Sequence, residues 1–378
     1  MPDGLEVRAV SGRADLDRFV DLPWRIYQSD PMWVPPLRVE VYRALDRQRH
    51  PFHQHAEVEC FLAWQGREVV GRIAAIVNRA HNEFHDDQVG FFGLFECRND
   101  VSVAQALLGR AERWLAEHGC TSARGPMNLS TNEEICSPGI LVDGFDTPPK
   151  FLMAHNPTYY ARLLEESGHT KAKDLYAYWV DAEQTPERLV RGLKRMRQRA
   201  NIRLRTLNLS DFPGEVARVK EIYNAAWERN WGFVPMSESE MDFMAKSLRP
   251  IVDPNLCVFA ELEGEPVAFA IALPDYNQAF KHMNGRLFPL GLFKFFWYRR
   301  RIDSVRTLTL GVKAQYRLQG LDSMLIVALM QAAQKQQRAR GECSWILEDN
   351  YAMRRGLERI GGRPYKTYRI FEKPLPPA

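Results

Sequence analysis

A strand, a polar turn and a helix follow one another between Leu308 and Gln336, and this arrangement has the chemistry of a phosphate site. An apolar, β-prone run ends at Val312, and the turn that follows contains Arg317 and Gly320. The first amides of a helix have no partner within that helix and lie at the positive end of its dipole. Such a turn binds phosphate or pyrophosphate, although an ordinary strand–helix connection can have the same spacing.

The turn resembles the pyrophosphate loop of the GNAT acyltransferases through the spacing Val312-x-x-x-Tyr316-Arg317-x-x-Gly320-Leu321. This resemblance implies an acyl-CoA cosubstrate and direct transfer of the acyl group from a thioester to an amine. The cofactor-binding residues that it implies are Leu310, Gly311, Val312, Arg317, Leu318, Gln319, Gly320, Leu321 and Asp322. Asp322 departs from the family pattern, which has Gly or Ala there, so it adds bulk and negative charge beside the pyrophosphate.

A second segment, from Asn350 to Gly361, resembles the GNAT pattern Asn-x-x-Ala-x-x-Leu-Tyr-x-x-x-Gly-Phe. The resemblance implies that Asn350 and Met353 contact the cofactor. Leu357 replaces the family tyrosine that protonates the leaving thiolate, so this role passes to another group or is not needed. The candidate acids are the tyrosines nearby in the sequence, which are Tyr351, Tyr365 and Tyr368.

The reaction also needs a base that takes the proton of the amine. Glu348 is the first candidate because it ends the strand beside the cofactor strand, although a charge that stabilises the next helix N-terminus explains it equally well. Glu134 and His155 are further acid–base candidates in the N-terminal half, where a long polar run begins at Arg124. A loop of this length is more often functional than idle, but capping or contact between modules would also explain it.

Two copies of one plan are predicted to position these residues. Each half has a strand, a helix, an aromatic–proline loop and a hairpin in the same order, at an offset of about 200 residues. The matching features are Trp33-Val34-Pro35 with Phe233-Val234-Pro235, Gly66 with Gly264, and the segment 156–168 with 350–361. The first copy has no Arg-x-x-Gly turn between Glu96 and Val103, which predicts that it does not hold CoA in the usual way.

The fold prediction is therefore α/β, with two tandem GNAT-like acyl-CoA N-acyltransferase modules that each contain a mixed, mostly antiparallel sheet flanked by helices. We expect the first module at 1–183, a basic linker helix at 184–200 and the second module at 201–378. A solvated surface is the favoured explanation of the basic helix. Contact with the CoA phosphates or with an anionic membrane surface is the alternative.

Composition narrows the class of protein. The chain has 378 residues, of which 45% are hydrophobic and 26% charged, and this balance is typical of a soluble globular protein. The formal net charge of +4 is too small to predict a nucleic-acid partner. The six cysteines are scattered without a C-x-x-C pair, which argues against a metal site and a disulfide framework, so we expect reduced thiols and a cytoplasmic protein.

The segment 287–301 combines aromatic and aliphatic residues with flanking arginines. It is too short to span a bilayer. One explanation is a segment that dips into the headgroup region at the inner face of the cytoplasmic membrane, and the other is a buried helix on the sheet. The two explanations are equally favoured on the sequence.

The chain as a whole is similar to the bacterial GNAT-type proteins associated with ceramide synthesis. That similarity implies transfer of a fatty acyl group from acyl-CoA to a lipophilic amine such as a sphingoid base. Two alternatives stay open at this point. One is a small-molecule or protein N-acetyltransferase that uses acetyl-CoA, and the other is a non-catalytic acyl-CoA-binding scaffold.

Overall fold

The computed structural model describes residues 4–132, 138–227 and 230–376. The strands in these ranges are β1 (Leu5–Ala9), β2 (Ala56–Gln65), β3 (Glu68–Asn78), β4 (Val89–Cys97), β5 (Ser122–Gly125), β6 (Ile140–Asp143), β7 (Thr170–Asp181), β8 (Ile202–Thr206), β9 (Cys257–Leu262), β10 (Glu265–Pro274), β11 (Ser304–Val312), β12 (Arg340–Leu347) and β13 (Arg363–Pro374). The α-helices are α1 (Gly12–Ile26), α2 (Arg38–Ala44), α3 (Arg79–His85), α4 (Val101–Glu117), α5 (Tyr160–Glu166), α6 (Glu187–Arg199), α7 (Phe212–Trp227), α8 (Glu238–Leu248), α9 (Asn277–Phe280), α10 (Gly291–Tyr298), α11 (Leu321–Lys335) and α12 (Tyr351–Arg359).

The chain divides into two compact units that are not consecutive halves of the sequence. The first unit is formed by residues 1–174, 279–296 and 367–378, and the second by residues 175–278 and 297–366. The segment between β10 and β11 therefore contributes residues 279–296 to the first unit. The two copies follow one another in the order of secondary-structure elements. The two units, which are defined by packing, instead combine segments from different parts of the chain.

The first unit contains a mixed sheet in which β1, β2, β3, β4 and β5 are neighbours in that order. Only the β4–β5 pair is parallel among these, and the end of β13 pairs antiparallel with β5. Helix α4 covers one face, because its apolar residues recur at helical spacing and are buried in the core of this unit. These buried residues are Val103, Ala104, Leu107, Leu108, Ala111 and Leu115.

The second unit repeats this layout with β8, β9, β10, β11 and β12 as neighbours in that order, followed by β7. Only the β11–β12 pair is parallel. Helix α11 packs on the core face of β9 and β10, and α7 supplies Ile222 to a separate cluster with Phe259 and Phe269. The predicted class is confirmed: the protein is α/β, with mixed, mostly antiparallel sheets flanked by helices.

Helices α1 and α2, together with the aromatic–proline loop between them, anchor the start of the segment 279–296. Trp24 Nε1 donates a hydrogen bond to Asn284 Oδ1 at 2.8 Å, and the Arg38 guanidinium lies 3.5 Å from the centroid of the Trp24 ring. Lys281 Nζ donates to the carbonyl of Pro31 at 3.0 Å. These contacts give the loop a structural role that its residue types did not reveal.

Helix α10 carries exposed apolar side chains, so the buried-helix explanation of this segment is wrong. Phe293 is 70% exposed. The other exposed apolar side chains of the segment are Phe288, Leu290, Phe296 and Trp297. None of the helices within the described ranges is long and apolar enough to cross a bilayer.

Candidate functional site

Strands β11 and β12 separate after a short parallel pairing, and the gap between them is the centre of the site. The two strands pair from Ser304 with Arg340 to Thr307 with Cys343. Beyond this point β12 continues beside β7 and β11 beside β10. Amides of a strand point alternately to its two edges. Alternate amides at the end of β11 therefore face the gap.

A β-bulge coincides with the point of separation. Ile271 of β10 lies opposite Thr309, and Ala272 lies opposite Thr307, so Leu308 is the extra residue in β11. A bulge leaves a backbone group without its ladder partner and re-aims its neighbours. The bulge and the amides of Leu310 and the residues after it can therefore present donors to a carbonyl oxygen in the gap.

The turn after β11 has the shape of an anion site. Leu318 has a φ of 61° and Gly320 a φ of 71°, and α11 begins at Leu321. No acceptor within the described residues lies within hydrogen-bond distance of the amides from Leu318 to Ser323. Successive unpaired amides in such a turn form a concave group of donors that suits a diphosphate.

Arg317 holds this turn in place through its side chain. One guanidinium nitrogen donates to the carbonyl of Ala226, in the last turn of α7, at 2.5 Å. The carbonyls at a helix C-terminus lack partners within their helix, and a cation there is favourable. Arg317 therefore links α7 to the turn, in addition to bringing a positive charge next to it.

Asp322 is directed towards α12. Its Oδ2 lies 3.2 Å from the position that a β-carbon on Gly356 would take, and Ser323 Oγ lies 3.5 Å from the same position. The carboxylate is in the first turn of α11, where a negative charge stabilises the helix. Gly356, on the neighbouring helix, thus leaves room for an Asp at a position where the family pattern has Gly or Ala.

We expect Asp322→Asn to strengthen CoA binding about fivefold, because it removes a negative charge near the diphosphate that is worth about 1 kcal/mol at this range. The substitution should lower the free energy of unfolding by about 0.5 kcal/mol through the lost helix-dipole interaction. Calorimetric titration with CoA measures the first effect. Asp242→Asn, at an exposed position of α8, is the matched change of net charge. Weaker CoA binding by the Asp322 variant would contradict a diphosphate at this turn.

The N-terminus of α12 brings four predicted residues together. Asn350 Oδ1 accepts the amide hydrogen of Met353 at 3.2 Å and so caps the helix. The carbonyl of Glu348 accepts a hydrogen bond from Arg354 at 2.7 Å. Tyr351 is 61% exposed. The side-chain oxygen of Asn350 is thus occupied by a hydrogen bond within the protein. Glu348 and Tyr351 lie just after the end of β12.

Leu357, in place of the family tyrosine, is fully buried in an apolar cluster with Ile326 and Ile360. It cannot supply a proton. Among the three tyrosines considered, Tyr365 donates its hydroxyl to Glu342. Tyr368 is fully buried in the first unit.

A buried charged pair beside the separating strands was missed by the sequence analysis. Arg306 and Glu342 face each other in the parallel pairing of β11 and β12, and both are at most 1% exposed. Arg306 Nε lies 2.9 Å from Ser344 Oγ and 3.8 Å from Glu342 Oε1. Buried charges are stable only when paired and hydrogen-bonded. The signal available in the sequence was a single charge within each β-prone run.

The corresponding gap in the first unit is filled by the chain itself. Strands β4 and β5 are parallel as far as Phe91, and Leu94 then has a φ of 48°. The Leu94 amide donates to Asn128 Oδ1 at 2.7 Å, and the Met127 amide donates to the carbonyl of Phe92 at 2.6 Å. The start of the long polar run therefore takes the donors that a thioester would need.

The first unit also lacks the long turn between strand and helix. Three residues, 98–100, separate β4 from α4. Asp100 caps α4, and its Oδ1 accepts the amide hydrogen of Ser102 at 3.0 Å. A carboxylate at this place opposes a phosphate, and the absence of CoA binding by this module stays a prediction.

His155 lies in the first unit and belongs to a hydrogen-bonded group there. Its Nε2 lies 2.8 Å from Asp30 Oδ2, and its carbonyl accepts from the Tyr27 hydroxyl at 3.1 Å. The Tyr27 hydroxyl oxygen also lies 2.9 Å from Glu96 Oε2, so its single hydrogen is shared between the two acceptors, and Tyr160 donates to Glu96 at 2.7 Å. Burial raises the pKa of Glu96 above its ordinary value. The other candidate of this half, Glu134, lies outside the described residues.

Comparisons with known proteins agree with this geometry. The bacterial ceramide synthase of Caulobacter vibrioides (strain NA1000 / CB15N) is 40% identical over 383 aligned positions, which cover 98% of each chain. Protein YghO of Escherichia coli (strain K12) is 35% identical over 378 positions, covering 98% of this chain and 95% of that protein. No protein-family model matches the chain.

Solved structures show the same fold at low sequence identity. A tandem GNAT protein from the clavulanic acid biosynthesis pathway superposes with a TM-score of 0.60 at 13% identity, covering 99% of both chains. A GCN5-related N-acetyltransferase from Sphaerobacter thermophilus gives a TM-score of 0.54 at 15% identity, covering 100% of this chain and 98% of that one. The chain therefore belongs to the family of the bacterial ceramide synthase, and it is an N-acyltransferase with a tandem GNAT fold.

Proposed function

We propose that the protein transfers a fatty acyl group from acyl-CoA to the amine of a sphingoid base. The single observation that carries this acceptor is the full-length similarity to the Caulobacter protein named bacterial ceramide synthase. The exposed apolar residues of α10 favour a lipophilic substrate over a small polar pair.

In the proposed reaction the amine attacks the thioester carbonyl, the C–N bond forms and the C–S bond breaks. The diphosphate of CoA lies on the amides of residues 318–323, and the thioester enters the gap between β11 and β12. Amides of β11 from Leu310 to Val312 stabilise the oxyanion. A carboxylate takes the proton of the amine, and the thiolate leaves as the thiol after it gains a proton.

We assign the base role to Glu348, because it lies at the end of β12, where the gap opens. Tyr351 is the proposed acid for the thiolate, and it is exposed enough to meet a ligand. His155 stays a proposed acid–base group of the N-terminal half, and Glu134 keeps the same proposal although it lies outside the described residues. The Glu342–Tyr365 pair is a second candidate for proton transfer in the second unit.

The test is a transfer assay with purified protein. It pairs a C16 acyl-CoA or acetyl-CoA with sphinganine or a small polar amine, and it measures thiol release together with the mass of the product. Thiol release and an N-acyl product with the C16 acyl-CoA and sphinganine alone support the proposal. Preference for acetyl-CoA and the polar amine would replace it with an N-acetyltransferase.

We further propose that the α10 segment docks on a lipid bilayer with anionic headgroups. Its exposed apolar side chains are followed along the chain by Arg299, Arg300 and Arg301. Apolar residues at the headgroup boundary combined with adjacent arginines favour attachment to an anionic surface. A sphingoid base partitions into such a surface, so docking would bring the enzyme to its acceptor.

Replacing Phe293, Phe296 and Trp297 with Ser should abolish most of the binding to vesicles that contain phosphatidylglycerol, because each loses apolar area that the bilayer would bury. Vesicle co-sedimentation measures the bound fraction. Phe84→Ser, at an exposed position outside the segment, is the control and should bind as the native protein does. Native protein that stays in the supernatant with these vesicles rules out the docking proposal.

A further inference from the structure

Helix α6 packs directly against the turn that precedes α11. A β-carbon on Gly320 would lie 3.0 Å from Met196 Cε and 4.0 Å from Leu193 Cδ2. Leu193 is buried, and α6 contributes to the same apolar cluster as α11 and α12. The apolar side of the helix therefore packs beside the turn, while most of its basic side chains are exposed.

Most of the positive charges of α6 have no carboxylate partner among the described residues. Arg191 pairs with Glu187 at 3.0 Å. Among the parts of the chain that the structure describes, no carboxylate lies within 4.0 Å of the other cations of α6. These cations are Arg188, Lys194, Arg195, Arg197 and Arg199. Like charges within one or two turns of a helix repel one another, so such a set is unfavourable unless an anion joins it.

Arg197 and Arg199 are the cations best placed towards the turn. Both follow Met196 within one helical turn, and Arg197 shares a face with Leu193, four residues earlier. Arg197 is half-buried, whereas Arg199, Lys194 and Arg195 are exposed; Arg199 is chosen because it lies three residues after Met196, on the same face of the helix. Basic residues also stabilise a helix C-terminus through its dipole, and this alternative must be separated from ligand binding.

We propose that α6 binds the 3′-phosphate of CoA, with Arg197 and Arg199 as the principal ligands. This assignment rests on the proposed binding of the diphosphate by residues 318–323. Those amides supply hydrogen-bond donors to the diphosphate. The 3′-phosphate is a monoester and brings nearly two further negative charges at pH 7, which need another positive group. Guanidinium groups match phosphate oxygens through paired N–H donors. Helix α6 thereby selects CoA over coenzyme fragments without the 3′-phosphate.

The test compares CoA with 3′-dephospho-CoA by calorimetric titration of the full-length protein. The native protein should bind CoA at least about tenfold more tightly, since one charge-assisted contact of this kind supplies that factor. The Arg197→Gln/Arg199→Gln variant should lose most of this ratio by weakening CoA alone, with 3′-dephospho-CoA bound within about threefold of native. Arg191→Gln is the matched control, because it removes one charge from the same helix at a position paired with Glu187.

Several outcomes would overturn the assignment. Equal binding of the two coenzymes by the native protein excludes a 3′-phosphate site, and an equal loss for both in the double variant assigns α6 to the diphosphate or to helix stability. Loss of binding to anionic vesicles with an unchanged coenzyme ratio would assign α6 to a membrane. If the double variant does not fold, Arg197→Lys and the salt dependence of the two native affinities decide: a steeper dependence for CoA is expected. Absence of binding of either coenzyme would instead refute the proposed function.

Discussion

Replacing Arg317 with Glu is expected to weaken CoA binding by at least about a hundredfold, which corresponds to about 2.7 kcal/mol. The native guanidinium donates to the carbonyl of Ala226 at 2.5 Å and so ties the turn to α7. A carboxylate at this position repels that carbonyl as well as the phosphates. The turn would lose its anchor, and the remaining amides would have to be ordered by the ligand, which costs binding energy.

Calorimetric titration with CoA measures this effect, and two further variants interpret it. Arg317→Lys keeps the charge but not the planar fork of donors, so an intermediate affinity is expected. Lys335→Glu makes the same change of charge at the other end of α11 and should leave the affinity within about twofold, because exposed charges more than a Debye length apart are screened. Native affinity in the Arg317→Glu variant would remove this turn from the CoA site.

Gly93→Ala is expected to have the largest effect on stability, with a loss of at least about 3 kcal/mol in the free energy of unfolding or failure to fold. A β-carbon at this position would lie 1.8 Å from the carbonyl oxygen of Met127 and 2.6 Å from its carbonyl carbon. Both atoms belong to the backbone, so no rotamer change relieves the clash. The segment would have to leave β4, and the hydrogen bonds that Met127 and Asn128 make there would be broken.

Urea unfolding followed by circular dichroism measures this loss, and Gly109→Ala is the matched control in the same unit. A β-carbon on Gly109 meets nothing closer than Arg113 NH1 at 3.9 Å, and the residue lies within α4. That substitution should stabilise the protein by about 0.5–1 kcal/mol, because alanine is the better helix former. A Gly93→Ala variant as stable as the native protein would show that residues 126–128 do not fill the gap beside β4 in solution.

The two predictions depend on a difference between the duplicated modules at equivalent positions. In the second unit the parting strands are followed by a turn with unpaired amides. In the first unit the equivalent donors are taken by Asn128, and Asp100 caps the following helix. The first module therefore has the same order of strands and helix, and we propose that it does not hold CoA in the usual way.

Local signals in the sequence were sufficient for the strand, the turn and the helix between Leu308 and Gln336. The strand predicted to end at Val312 corresponds to β11, and the helix predicted after the turn corresponds to α11. These predictions succeed because hydrophobic periodicity and the positions of Gly and Pro act within a few residues of the chain. The tandem acyltransferase fold and the N-acyltransferase activity were implied by the resemblance of the segment around Arg317 and Gly320 to the GNAT family, together with the repeat.

Tertiary structure decided how the residues of the site are used. Arg306 and Glu342 meet because β11 and β12 pair in one register, and no local pattern specifies that register. Asp322 avoids the turn because a glycine on α12 leaves room for it. Helix α6 lies beside the cofactor turn because its apolar face packs there. The sequence alone thus identified the local elements and the candidate residues. The partner of each charged residue depended on packing between segments that are distant in the chain.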